Sequence, residues 1–258
     1  MKNKSILNKV ILFILFIALI STTNNIIKNY LINNGIDDYN IHLAFNIISK
    51  SILGLVSFMV AKRLDLIQLG GLSKTKPKKL WLVIFPLLFL VLLNIDSLDS
   101  IPNFSILNIS LLVIYCIVIG ISEELSLRSV LLPLISKYFG NNRKAQIKAV
   151  FISALIFGFL HLINFDKGIY GEIAQLFFAT FIGIMFGALL LVIKRVYPLI
   201  IIHAIIDFVA KLDSINKPVK AMVYNPMDIN DSILTILITL PCLIYGLYII
   251  KKQVPVTN

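Results

Sequence analysis

Three short patterns hold most of the ionisable side chains that lie deep in apolar sequence. The first is Ile121-Ser122-Glu123-Glu124-Leu125-Ser126-Leu127-Arg128, a carboxylate pair and a guanidinium. Between Leu112 and Ile135 these three charges are the only ionisable groups besides Tyr115 and Cys116. That run is long enough to cross a bilayer. An ionisable group at such depth costs on the order of 3 kcal/mol or more, so it persists where it meets a partner or a water-filled cavity, and it marks a functional site. Glu124 and Arg128 are spaced i, i+4 on one helix face and can pair, whereas Glu123 points about 100° away and is left free. The second pattern is Phe157-Gly158-Phe159-Leu160-His161, and the third is His203-Ala204-Ile205-Ile206-Asp207, with His and Asp again i, i+4. Each histidine alone reads as a hydrogen bond between helices. Together, two intramembrane histidines with three acids and one arginine form a set suited to activating water.

The elements that must position these residues follow from composition. With 58% hydrophobic and 14% charged residues and a mean hydropathy of +0.91, the 258-residue chain cannot hide its apolar surface in one soluble core. It reads as an all-α polytopic integral membrane protein of about eight transmembrane helices with an intramembrane polar site. The net charge of +11 does not indicate a nucleic-acid partner, because the basic residues are dispersed in short connections between apolar spans. Cys116 and Cys242 lie in apolar runs without metal-type spacing and imply no disulfide.

In chain order, Lys2, Lys4 and Lys9 precede an apolar span from about Val10 to Ser21. Ser21-Thr22-Thr23-Asn24-Asn25 offers no small-residue cleavage pattern, so this is expected to be a retained first helix. The second span, about Ile41 to Ala61, contains Lys50, with His42 at its outer end in an interfacial position. A basic connection from Lys62 to Lys79 carries Gly70, Gly71 and Pro77 as breakers. The third span runs from about Leu80 to Leu93, with Trp81 at its start, and Asp96 and Asp99 mark the next turn. The fourth is expected as one long helix from about Leu107 to Tyr138, bent at Pro133 and stopped by Gly140-Asn141-Asn142. The fifth to eighth spans are about Ala149–Ile163, Ile173–Ile193, Tyr197–Ala210 and Ile233–Ile250. The chain thus divides into residues 1–106 with three helices, a core at 107–210 with four, and 211–258 with a loop and the last helix. Gly183-x-x-x-Gly187 permits close helix approach within the chain or between copies, so the oligomeric state is left open.

Charge sorts the connections onto two faces. The face of the N-terminus collects 17 basic residues and one acid, Asp65, whereas the opposite face has five basic and nine acidic residues. By the positive-inside rule both termini are cytoplasmic in a multi-pass plasma-membrane protein; the connection carrying Lys211, Lys217 and Lys220 fits least well. Depth adds a condition. If the fourth helix ended at Ser122, Glu123 would lie roughly 20 Å from the level of His161, whereas a helix continuing to Tyr138 brings Glu123, His161 and His203 within roughly two turns of one another.

Glu123-Glu124-x-x-x-Arg128, Phe157-x-x-x-His161 and His203-x-x-x-Asp207, each in an apolar span and in this order, resemble the CPBP family. That family comprises type II CAAX prenyl proteases (Rce1-like) and bacteriocin-processing or Abi-type membrane proteases. The resemblance covers about Leu107 to Ala210. It implies an intramembrane glutamate protease in which Glu123 is general base, His161 its partner on the attacking water, and His203 with residue 207 the oxyanion donors. Glu124, Arg128 and Phe157 become structural support of the site. Two departures stand out: Ser129 replaces a frequent Gly, and Asp207 stands where the prenyl proteases have Asn. An ionised Asp207 would repel an oxyanion, so it is protonated, orients His203, or marks altered chemistry.

The leading expectation is therefore a peptidase acting on a peptide or membrane-associated protein, such as a CAAX-like, pheromone or bacteriocin precursor, with no cofactor. Glu plus two His could form a Zn²⁺ set, but nothing here resembles HExxH and metal is disfavoured. The alternatives are a binding or bacteriocin-immunity protein on the same fold, and a proton-coupled transporter; against the latter, the chain halves show no repeat. The richness in Ile, Asn and Lys points to a bacterial, AT-rich source.

Overall fold

Helix caps and breakers set the element boundaries. A computed structural model describes residues 2–98, 101–163, 167–222 and 226–254, and among these every regular element is helical. Helix α1 spans Lys2–Asn33 and α2 spans Tyr39–Arg63, the latter capped by Asp38, whose carboxylate accepts the Ile41 N–H at 2.9 Å. A 3₁₀ turn at Leu80–Val83 leads into α3, Ile84–Leu93. Helix α4, Ile106–Glu124, opens on a reciprocal cap between Ser105 and Asn108. It runs without a break through a π-helical segment, Leu125–Leu131, into α5, Leu132–Tyr138. Helix α6, Arg143–His161, is capped by Asn142; α7 spans Gly168–Ile193, α8 Tyr197–Ala210 and α9 Ile229–Lys252.

Six of these segments are long and apolar enough to cross a membrane, the α4–α5 run counting as one of 33 residues, and Leu80–Leu93 and Tyr197–Ala210 are shorter apolar helices. This is the all-α polytopic architecture expected. Helix α7 is the axis: from Phe181 to Ile193 nearly every side chain is buried, against α6 on one side and α9 on the other. The other long helices expose rows of Leu, Ile and Phe outward, as a lipid-facing surface requires.

Connections interlock at each end of the bundle. At one end Lys220 N donates to the Asp37 carboxylate, Met227 N to Lys167 O at 3.0 Å, and Asn216 Nδ2 to Asn103 O at 3.3 Å. At the other, basic end Lys78 N donates to Ile193 O at 3.0 Å, Val196 N to Gly71 O at 3.0 Å, and Lys79 Nζ to Gln253 Oε1 at 2.8 Å. The acid-rich and lysine-rich connections read from the sequence therefore occupy opposite ends.

Three expectations need correction. The first helix does not end near Ser21, because Asn24 and its neighbours stay helical and Asn24 Nδ2 donates to Asn46 Oδ1 on α2 at 2.6 Å. The irregularity in the fourth span is a π-helical segment at Leu125–Leu131, ending two residues short of Pro133, whose missing N–H leaves the ladder of the continuous helix one donor short. His42 is buried, 5% exposed, and closes the α1–α2 turn through Nε2–H to Ile36 O at 2.8 Å. Asp99, with Asp96 expected to mark the turn after α3, lies outside the described residues. Gly183 and Gly187 pack on Ala154 and Val150 of α6, so their close approach is spent within the chain.

Candidate active site

Three helices, the α4–α5 run, α6 and α8, bring the three patterns together. Glu123, Glu124, Arg128, Phe157, His161, His203 and Asp207 all line one cavity of about 510 Å³. The long-helix register is thus the one adopted, and Glu123 lies 17 residues along the 33-residue α4–α5 run. Two glycines permit the approach. A Cβ at Gly120 would stand 2.7 Å from the Ile200 carbonyl oxygen, so α8 comes against α4 only because this position has no side chain. A Cβ at Gly158 would likewise collide with Thr180 Oγ1 and with the Leu176 carbonyl oxygen of α7.

Glu124 is the hub. Fully buried, it places Oε1 3.2 Å from Arg128 Nη1 and 2.9 Å from His203 Nδ1. A carboxylate accepts, so Nδ1 carries the proton and Nε2 faces the cavity. Nε2 stands 3.8 Å from Glu123 Oε2 and 3.9 Å from Asp207 Oδ1, beyond direct hydrogen bonding and within reach through one bridging atom. Sequence spacing pairs His203 with Asp207 on its own helix; the short bond goes to Glu124 instead. The i, i+4 spacing brings Asp207 near the ring but turns it toward Lys211, 3.6 Å away.

Arg128 is held by rings as much as by its ion pair. Its Cζ lies 5.7 Å from the Phe157 centroid and 5.4 Å from that of Phe186. Each ring continues to a histidine: Phe157 meets His161 edge-on at 4.5 Å, and Phe186 meets His203 edge-on at 5.9 Å. The spacing of Phe157 and His161 has a second use, because His161 Nδ1–H donates to the Phe157 carbonyl at 2.9 Å and leaves Nε2 as the basic nitrogen of the neutral ring.

Glu123 is not free. Lys50, from the middle of α2, donates to Glu123 Oε1 at 2.7 Å, with side-chain exposures of 26% and 17%. The sequence held the signal, since a lysine in mid-span needs a counter-charge as much as an unpaired glutamate does. Ser129, one of the two departures, donates from Oγ to the Gly70 carbonyl at 2.7 Å and ties the helix to the basic connection. Among the described residues no three His, Cys, Asp or Glu side chains are arranged to hold a metal ion. The two cysteines are buried and free.

These contacts define the chemistry open to the site. A carboxylate, a basic imidazole nitrogen and a second imidazole converge on one polar cavity inside an apolar bundle, with their supporting groups fixed by bonds and rings. Residues 105–209 match the model of the Rce1-like family, the type II CAAX prenyl endopeptidases, and that segment carries all three patterns. At the level of the family the match supports a CAAX-type intramembrane protease, with a peptide or protein as substrate and the bilayer as surroundings. No curated protein and no solved structure matches the chain.

Proposed function

We propose that this chain is an intramembrane endopeptidase of the glutamate type that hydrolyses a peptide bond in a membrane-associated protein or small peptide. The carrying observation is that Glu123, His161 and His203, from three helices, line one cavity. In the proposed reaction Glu123, aided by His161 Nε2, takes a proton from water as the oxygen attacks the carbonyl carbon. The tetrahedral oxyanion forms within reach of His203. Because Nδ1 already donates to Glu124, His203 donates from Nε2 only when its ring carries both protons, and the carboxylates of Glu124 and Asp207 supply counter-charge for that form. The C–N bond then breaks, and the proton first taken from water passes to the leaving amine. Glu124, Arg128, Phe157 and Phe186 hold the geometry.

No metal enters this scheme. The test is processing of a membrane-associated peptide in isolated membranes: Glu123→Ala, His161→Ala and His203→Ala each abolish cleavage while the protein still accumulates, and a strong zinc chelator leaves the wild-type rate unchanged. Loss of activity to the chelator moves the chemistry to a metal-bound water. Full activity of Glu123→Ala removes the protease reading and leaves a binding or immunity role.

A further inference from the structure

Two lysines break the sorting of charge between the faces. Of the five basic residues on the acid-rich face, Lys28 near the end of α1 and Lys211 just after α8 line a single pocket of about 200 Å³. It lies between α1, α2, α4 and the connection after α8, and Glu123, His161 and His203 take no part in its walls. Tyr115 and Lys211 are the wall it shares with the main cavity.

The polar lining is made of donors. Tyr39, in the first turn of α2, has its ring packed in a small core with Leu43, Leu112 and Cys116, and its hydroxyl is buried with no hydrogen-bond partner among the described residues. Packing alone would be served by a phenylalanine. A buried hydroxyl without a partner costs about 1–3 kcal/mol, so it persists where a ligand completes it. Asn46 accepts from Asn24 through Oδ1 at 2.6 Å, which leaves its amide N–H groups to donate. Lys211 meets the Asp207 carboxylate, 3.6 Å away on the side of the main cavity, and one carboxylate oxygen does not occupy all three of its N–H groups. Tyr115 adds a second phenol. Among the described residues no carboxylate lines the pocket, and the acids nearest in sequence are engaged elsewhere, Asp37 with the Lys220 N–H and Asp38 as the cap of α2.

We infer that this pocket binds a compact oxyanion, a carboxylate or a phosphate. Two phenols, an amide and two ammonium groups with no facing acid are satisfied by a group that only accepts hydrogen bonds. A volume of about 200 Å³ is below the roughly 300–1,000 Å³ of sites that enclose a whole small molecule, so the pocket takes the charged head and leaves the rest of its bearer outside. The bearer is a solute or a phospholipid: α1 and α2 expose Ile26, Tyr30, Ile41 and Phe45 around this end, where acyl chains would lie. Lys28, Tyr39 and Asn46 fall outside residues 105–209, so the pocket is built by parts of the chain beyond the family match. Binding needs no cleavage and does not rest on the protease reading.

The test is thermal denaturation of the full-length protein in detergent, with acetate and inorganic phosphate each titrated against chloride at constant ionic strength. Wild type is expected to gain about 3–5 °C at roughly ten times the dissociation constant, with a dependence that saturates. Tyr39→Phe removes only the unpartnered hydroxyl, so it should keep or raise the anion-free midpoint while weakening the anion about 10-fold. Lys28→Gln should weaken it as well, through charge in place of the hydroxyl. Saturable stabilisation that survives unchanged in both variants overturns the inference, as does a midpoint that climbs only linearly with anion, which is the general salting effect. Phosphatidylglycerol added to phosphatidylcholine micelles separates the sources. Stabilisation of wild type and not of Tyr39→Phe by phosphatidylglycerol assigns the pocket to a lipid phosphate, stabilisation by the soluble anions alone assigns it to a solute, and the absence of both overturns it. A chain that binds the anion and cleaves nothing defeats the protease reading alone; one that cleaves a peptide without saturable anion binding defeats this inference alone.

Discussion

Lys50 Nζ lies 2.7 Å from Glu123 Oε1, joining residues 73 positions apart on α2 and α4. The ammonium fixes one carboxylate oxygen and leaves Oε2 directed toward His203. Under the proposed mechanism Lys50→Met is therefore expected to lower kcat on the order of 10-fold or more with KM little changed, since the orientation of the proposed base is lost and the rest of the cavity is kept. Lys50→Arg should recover part of the rate. Steady-state kinetics in detergent checks this, and an unchanged kcat in Lys50→Met removes the positioning role.

Arg128 carries the support of the site. Arg128→Ala leaves the Glu124 carboxylate fully buried with only His203 as partner and empties the space between Phe157 and Phe186; breaking such a pair costs about 3–5 kcal/mol. Arg128→Lys should be nearly as damaging, because a point charge does not fill the gap between two rings as a planar guanidinium does. Glu123→Gln, at a half-buried position facing the cavity, should leave protein abundance near wild type. Thermal denaturation in detergent together with membrane abundance distinguishes the three, and equal losses in Arg128→Ala and Glu123→Gln would refute this division of roles.

Asp207 separates two functions. Its Oδ1 is 3.9 Å from His203 Nε2 and its Oδ2 3.6 Å from Lys211. If it donates a proton to the oxyanion, Asp207→Asn keeps much of the rate and Asp207→Ala loses on the order of 10²-fold. If it serves as the anion between His203 and Lys211, Asn is nearly as damaging as Ala, and the ion pair to Lys211 makes this the expected outcome. Cleavage rates of the two variants give the answer directly.

Gly120 is the spacer between α4 and α8. Gly120→Ala should cost about 1–3 kcal/mol by overpacking, because the contact it creates is with backbone and not with a movable side chain. By pushing His203 from Glu124 it should lower activity more than stability. A variant with wild-type rate would show that the His203–Glu124 bond tolerates helix separation.

Much of this architecture is legible in the sequence, for local reasons. Glu124 with Arg128 and Phe157 with His161 are i, i+4 neighbours, so helix geometry alone brings them together, and the charge of the connections sorts the two faces. The partners that sequence reasoning misses are long-range. Lys50 to Glu123 and Glu124 to His203 join different helices, and the spacing within one helix carries no information about which face another presents. His203 shows the hazard directly, since its neighbour Asp207 is the sequence-local choice and Glu124 the one adopted. The first helix reads as short because Ser21 to Asn25 are polar, although a polar stretch remains helical when a second helix supplies its hydrogen bonds, as Asn46 does for Asn24.

The π-helical segment at Leu125–Leu131 sets the phase of α5. In a regular α-helix each residue advances by about 100°, so a wider turn here re-aims α5 relative to the Glu123–Glu124 face before it. The same covalent helix thus presents acids to the cavity in one half and an apolar wedge to the core in the other, with the change of facing made inside the segment that contains Arg128. Winding all seven residues of Leu125–Leu131 as a regular α-helix would rotate Leu131, Leu132 and Ile135 away from the core, whereas deleting one of the seven would close the wide turn and leave their facing unchanged. The winding of this helix, and not its length alone, is therefore part of the architecture of the site.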